Sequence, residues 1–171
     1  QSSAASDVYK RQVVCAFRSD DKFFQSLPFE VIDSKKISQK KREMIYDFFT
    51  TNKSLNFSYK IVIAKKKEIE QKNIHKAILD SMAKAAVGIS KMSDRIIIDG
   101  KFLPEELIRF KAETLVKADI KIKQVSAASI IAKVYRDKIL KKLNLKEAFY
   151  GWNKNAGYGT KNHLDAITSI G

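Results

Sequence analysis

A chain of 171 residues with 44% hydrophobic content is long enough to bury one core, and its single cysteine excludes a disulfide scaffold. Lysine and arginine number 33 against 19 acids, for a net charge of +14 and a pI near 9.8, which favours a polyanionic partner, nucleic acid first. No apolar run approaches the ~20 residues of a membrane span, and a signal-peptide pattern is lacking, so the expected location is the cytoplasm, with no membrane partner.

Residues 1–12 differ in composition from the rest of the chain, and residues 7–12 resemble the translation of a sequencing adapter. The expectation is a non-native leader over 1–12 and one domain, incomplete at its N-terminus, over 13–171. Residues 13–17 read as a strand, with Cys15 a reduced, buried thiol. After the polar turn 18–22, residues 23–32 carry apolar anchors and lead into Asp33-Ser34-Lys35-Lys36. Ser38 is placed to cap a helix over 39–49, with Met44, Ile45, Phe48 and Phe49 as its apolar stripe. Residues 56–64 alternate, Phe57, Tyr59, Ile61 and Ile63 on one face, as a half-buried strand does. Residues 65–87 read as helical with a break before Asn73, the period kept by Ile74, Ile78, Met82 and Ala85, and Gly88 is a natural stop.

Residues 95–100, Arg-Ile-Ile-Ile-Asp-Gly, predict a short strand buried on both faces that ends on a carboxylate, Asp99, with Gly100 turning the backbone away. Open α/β sheets place their sites at such strand ends. Pro104 suits the first position of a helical turn, and residues 113–116 are a second short strand ending at Lys117-Ala118-Asp119. Residues 125–143 form the clearest helix, with Val125, Ala128, Ile131, Tyr135, Ile139 and Leu143 at helical spacing. Residues 150–159 read as a loop, and Thr160 caps a last helix burying Leu164 and Ile167. Strands alternating with helices predict an α/β domain, a mixed central sheet flanked by helices.

The acids point to a chemistry. Cutting a phosphodiester needs an activated water and neutralisation of the leaving oxygen. Two Mg²⁺ ions about 3.5–4 Å apart supply both and prefer carboxylate oxygens. Asp99 and Asp119 suit that work if their strands are neighbours, although two carboxylates are too few for a complete two-metal site. Ser126, Ser129, Lys133 and Arg136 share one helix face opposite the apolar stripe, able either to hold phosphate or to brace the acids. Asp137, four residues after Lys133, is expected in an ion pair with it. His75 and His163 lack a metal-spaced partner and read as surface or packing histidines.

Asp33-Ser34-Lys35-Lys36, Ile98-Asp99-Gly100, Lys117-Ala118-Asp119, Ser-Ala-Ala-Ser-Ile-Ile-Ala-Lys-Val-Tyr-Arg-Asp over 126–137 and Gly157-Tyr158-Gly159-Thr160-Lys161-Asn162-His163 together resemble ribonuclease HII, the type 2 ribonuclease H. The resemblance implies an RNase H-like fold. It implies an endonuclease that hydrolyses the RNA strand of RNA/DNA hybrids and cuts 5′ to ribonucleotides embedded in duplex DNA, using Mg²⁺ or Mn²⁺.

Asp99 and Asp119 then match two of the family's four metal-binding acids, and Tyr158 its sugar-stacking tyrosine. Asn73 matches an asparagine on the nucleic-acid backbone, while Lys76 stands where many members have Gln. Substrate contacts are expected from Ser34, Lys35, Lys36, Asn73, Ser126, Ser129, Lys133, Tyr158 and Thr160, in a chain acting as a monomer.

The family's opening strand, ending in Asp-Glu-Ala/Val-Gly-Arg-Gly, has no counterpart among these residues, and with it go two acids and the element that reads the ribonucleotide 2′-hydroxyl. A first strand missing from the sheet and impaired cleavage are therefore expected. The competing readings are a basic, catalytically inactive nucleic-acid binder and the type 3 ribonuclease H. Gly-Tyr-Gly-Thr-Lys-Asn-His speaks for type 2.

Overall fold

The computed structural model describes residues 12–31, 33–52, 56–64, 73–149 and 168–170, those of Ser34, 144–149 and 168–170 by their backbone alone. Its strands are β1 (Gln12–Ser19), β2 (Phe57–Ala64), β3 (Arg95–Asp99), β4 (Lys111–Leu115) and β5 (Thr168–Ile170), and its helices α1 (Gln39–Thr51), α2 (Ile74–Ile89) and α3 (Lys123–Phe149). The strands form one mixed sheet in the order β2-β1-β5-β3-β4. β1 is antiparallel to β2 and parallel to β5, whereas β3 is antiparallel to β5 and parallel to β4.

Alternation along β1 sorts its side chains between two cores. Val13, Cys15 and Phe17 meet α1 and α3 on one face, joined by Phe57, Tyr59, Ile61 and Ile63 of β2. Val14 and Ala16 meet Met82, Ala83, Ala85 and Ala86 of α2 on the other, with Ile96 and Ile98 of β3. The first core is aromatic: Phe17 packs edge-on to Phe49 at 5.0 Å and stacks on Phe57 at 5.7 Å between ring centroids. Cys15 is free and wholly buried, and burial pushes its thiol far above the ordinary range, which makes it inert.

The helix starts obey their caps. Ser38 accepts a hydrogen bond from the Lys41 amide ahead of α1, and Asn73 accepts one from the Lys76 amide ahead of α2. Several boundaries differ from expectation. β1 runs on through Ser19, and a 3₁₀ turn over Lys22–Ser26 comes after it. Met44 is 48% exposed, so the stripe of α1 on the core is Ile45 and Phe49 with half-buried Phe48. α2 continues one residue past Gly88 to Ile89, where the Ser90 amide closes it by donating to the Ala86 carbonyl. Pro104 caps the 3₁₀ turn Glu105–Leu107 from outside rather than occupying its first position.

The central place in the sheet belongs to β5, a strand the composition of the tail did not signal. Its Thr168, Ser169 and Ile170 pair with Val14, Cys15 and Ala16, and Ile170 also meets Ile98. Beyond that last row β1 and β3 part around a cavity of about 760 Å³, lined by Phe17, Arg18, Ser19, Arg95 and Ile97 among others. Arg18 closes one side with a two-pronged hydrogen bond to Asp94, Nε to Oδ2 at 2.7 Å and Nη2 to Oδ1 at 3.2 Å. The expected loop over 150–159 and the helix capped by Thr160 lie outside the described residues. Among the described residues no helix is long and apolar enough to cross a membrane.

Candidate active site

Asp99 closes β3, whose three preceding isoleucines are buried at 5% exposure or less, so its carboxylate emerges from the core at the strand's C-terminal end. Parallel pairing sets Asp99 level with Leu115, the last residue of β4. Both chains turn at that edge. Gly100 has φ +131, a conformation that residues with a Cβ rarely adopt, and its amide donates to the Leu115 carbonyl. Lys117 has φ 60, in the left-handed region, and delivers the chain into a 3₁₀ turn over Ala118–Ile120.

That turn is built on Asp99. The Ala118 amide donates to Asp99 Oδ1 at 3.0 Å, and the Ala118 methyl is wholly buried against Ile97 and Val125. Asp119 is the next residue, so one backbone hydrogen bond and one buried methyl bring the two acids to the same place. Burial raises the Asp99 pKa above the ordinary carboxylate value; the Ala118 amide opposes that, the charge of Asp119 adds to it, and Lys35 and the Lys117 amide pull it down. Asp119 and Lys35 therefore both stand within electrostatic reach of Asp99.

Lys35 arrives from a 3₁₀ turn over Ser34–Lys36, which Asp33 caps by accepting from the Lys35 amide at 3.0 Å. Lys35 and Lys36 are exposed there. Asn73 is exposed, at the left-handed φ of 75, where its side chain caps α2. α2 leads through a short turn into β3, so its N-terminus lies at the end of the sheet where Asp99 stands.

The face of α3 expected to be polar is not a solvent face. Ser126 and Arg136 are 2% exposed, and Ser129 and Lys133 are half-buried. The reason is position: the first half of α3 packs on β1, α1 and the 118–120 turn, so both its apolar stripe and the opposite side meet protein. Lys133 approaches Asp137 with Nζ 3.9 Å from Oδ2, the ion pair the spacing predicted. Tyr158, Thr160 and His163 lie outside the described residues. Sequence reasoning missed the Lys117 and Ala118 amides, since backbone donors leave no trace in residue type.

A family model for ribonuclease HII matches residues 12–170. The chain belongs to the ribonuclease HII family. It is 42% identical over 139 residues to a ribonuclease HII of Pelagibacter ubique, covering 81% of this chain and 72% of that one. It is 36% identical over 146 residues to one of Roseobacter denitrificans, covering 85% and 71%. A ribonuclease HII of Ehrlichia chaffeensis is 38% identical over 145 residues, 85% of this chain and 66% of its own length. In three dimensions the chain is similar to a structure of the PCNA:RNase HII complex from Archaeoglobus fulgidus, with a TM-score of 0.60 and 22% identity over 80% of this chain and 75% of that one, a likeness of fold. Membership of the ribonuclease HII family makes it a type 2 ribonuclease H, a hydrolase of the nuclease class.

Proposed function

We propose that the chain hydrolyses the RNA strand of RNA/DNA hybrids and cuts 5′ to ribonucleotides embedded in duplex DNA, as a cytoplasmic monomer dependent on Mg²⁺ or Mn²⁺. The observation that carries this reading is the convergence of Asp99 and Asp119 on one edge of the sheet, where the amide of Ala118, the residue before Asp119, donates to Asp99 Oδ1.

The donor set suits a hard cation. Mg²⁺ is bound through one or two carboxylates and keeps several waters, which is what Asp99 and Asp119 offer. When bound, the cation supplies an activated water and neutralises charge developing on the phosphate. Among the described residues there is no cluster of three or more acidic, histidine or cysteine side chains. A two-ion mechanism therefore needs further acids, and the 171-residue chain is proposed to turn over slowly.

The chain's own residues do the positioning. The Ala118 amide fixes the Asp99 carboxylate, and the turn it anchors presents Asp119. Lys35 and Lys36, exposed on their turn, meet backbone phosphates, and Asn73 meets the same backbone from the start of α2. Ser126 and Ser129 sit at the start of α3 and brace the acid-bearing turn, with Lys133 reaching phosphate from the next turns. Tyr158 and Thr160 are proposed to contact the sugar beside the scissile bond.

The test uses the chain freed of host nucleases, a labelled duplex carrying one ribonucleotide, and calorimetric titration with Mn²⁺. Slow nicking and Mn²⁺ binding are expected, both lost in Asp99→Asn. Nicking that survives both EDTA and Asp99→Asn, or Mn²⁺ binding that Asp99→Asn leaves intact, overturns the assignment.

A further inference from the structure

An exposed aromatic pair stands at the same edge of the sheet, outside the acids and the lysine turn. Phe102 lies three residues beyond Asp99 and is 57% exposed. Its ring meets that of His75, on the first turn of α2, with centroids 4.8 Å apart and planes at 82°. The two come from different elements, and β3 together with the N-terminus of α2 brings them to the end where Asp99 emerges. Single exposed apolar side chains are ordinary on any surface. This one differs in being held: an edge-to-face contact with a second exposed ring fixes its direction. Lys101, exposed, is the residue before Phe102, and Lys76, exposed with Nζ 3.9 Å from Asp80 Oδ1, is the residue after His75.

We infer that Phe102, steadied by His75, is a positioning residue that packs on the sugars of a bound duplex. The inference rests on the nuclease reading. Its chemistry comes from what a duplex offers. Bases inside a helix are stacked on each other and hide their faces, so an exposed ring at a duplex-binding edge meets the apolar faces of sugars. Lys101, next to the ring in sequence, meets a flanking phosphate while the ring fills the space beside it. The contact is uncharged, so it adds affinity without adding to counterion release.

The experiment is fluorescence anisotropy of a labelled RNA/DNA hybrid in EDTA, over a series of salt concentrations. Compared are the parent chain, Phe102→Ala, Phe102→Trp, His75→Ala and Lys35→Ala. Phe102→Ala is expected to raise Kd about five- to tenfold, with a salt slope parallel to the parent's. Phe102→Trp restores affinity, and His75→Ala gives a smaller loss of about twofold. Lys35→Ala instead flattens the slope, by about 0.9 for each phosphate that the lysine neutralises. The melting temperature stays put in Phe102→Ala, because the ring is largely in solvent.

Unchanged affinity in Phe102→Ala, or a loss that comes with a shallower salt slope, overturns the inference and leaves the nuclease reading standing. A loss equally large on single-stranded DNA carrying 2-aminopurine, with the parent quenching its fluorescence, assigns the ring to bases and overturns the sugar contact. A parent chain that does not bind the hybrid removes the reading beneath as well.

Discussion

Replacing Asp99 with asparagine should abolish cation binding and yet stabilise the metal-free fold. Asparagine keeps an oxygen for the Ala118 amide, but a charge-assisted hydrogen bond becomes a neutral one, at a cost of about 1 kcal/mol. Against this stand the burial of an ionised carboxylate and its repulsion by Asp119. The Asp99 pKa lies above the ordinary carboxylate value, so those two outweigh the amides and Lys35. Asp99 is half-buried, so solvent screens much of this balance, and the net gain in Asp99→Asn is small, a rise of about 1–2 °C in melting temperature for a domain of this size. The sign with pH is fixed by the raised pKa. The parent has its full stability below the unfolded-state pKa and loses it as pH rises through the folded one, so the gap in favour of Asp99→Asn opens with rising pH. Thermal unfolding in EDTA between about pH 4 and about pH 8 reads it. Mg²⁺ at about ten times its Kd should then add about 1.4 kcal/mol to the parent and nothing to the variant. A parent that is the more stable of the two at neutral pH in EDTA contradicts the balance of forces on Asp99, and a Mg²⁺ shift common to both contradicts its role as a ligand.

The Arg18–Asp94 pair behaves in the opposite sense. The Arg18 hydrogen bond holds the Asp94 carboxyl below the ordinary range, with the Lys91 amide helping at 2.7 Å. Its contribution is present above the unfolded carboxylate pKa and is lost as pH falls through the folded one. With side chains 40% and 24% exposed, the pair is worth at most about 1 kcal/mol. Asp94→Ala should therefore melt a few degrees lower than the parent near neutrality and converge with it in acid; a gap that is constant with pH counts against the pair. Lys117→Gly should raise the melting temperature, by relieving about 1 kcal/mol of left-handed backbone cost, whereas Lys117→Val should lower it; equal melting of the two would show that the turn carries no strain.

The strands were readable because their patterns are physical. Three isoleucines before Asp99 have no reason to be consecutive unless both faces are covered, and α2 on one side with the 118–125 segment on the other covers them. The alternation of 57–63 likewise puts four side chains into one core. α3 misled because helical periodicity shows which side is apolar, not what lies opposite; Ser126 and Arg136, on the side opposite the stripe, are buried. Gly88 falls one residue short of the helix end, which the Ser90 amide closes on the Ala86 carbonyl. β5 was beyond reach: three residues carry too little pattern, and its partners, Val14, Cys15 and Ala16 of β1 and Ile98 of β3, are far away in sequence.

The two acids depend on each other in a way that neither motif shows by itself. Each Asp comes after a short strand, and parallel pairing of β3 with β4 brings those strand ends level. Level ends alone would leave Asp119 free to point anywhere, because it stands four residues beyond Leu115. What removes that freedom is the Ala118 amide on Asp99 Oδ1, with the Ala118 methyl locked in the core behind it. Asp99 thus does two jobs with one carboxylate, anchoring the turn and offering charge to a cation. Asparagine at position 99 preserves the first and removes the second, whereas alanine removes both. Asp99→Ala should consequently disturb the 117–120 turn and lose stability where Asp99→Asn gains it, and that difference, read by thermal unfolding in EDTA, separates the anchoring role of this residue from its chemistry.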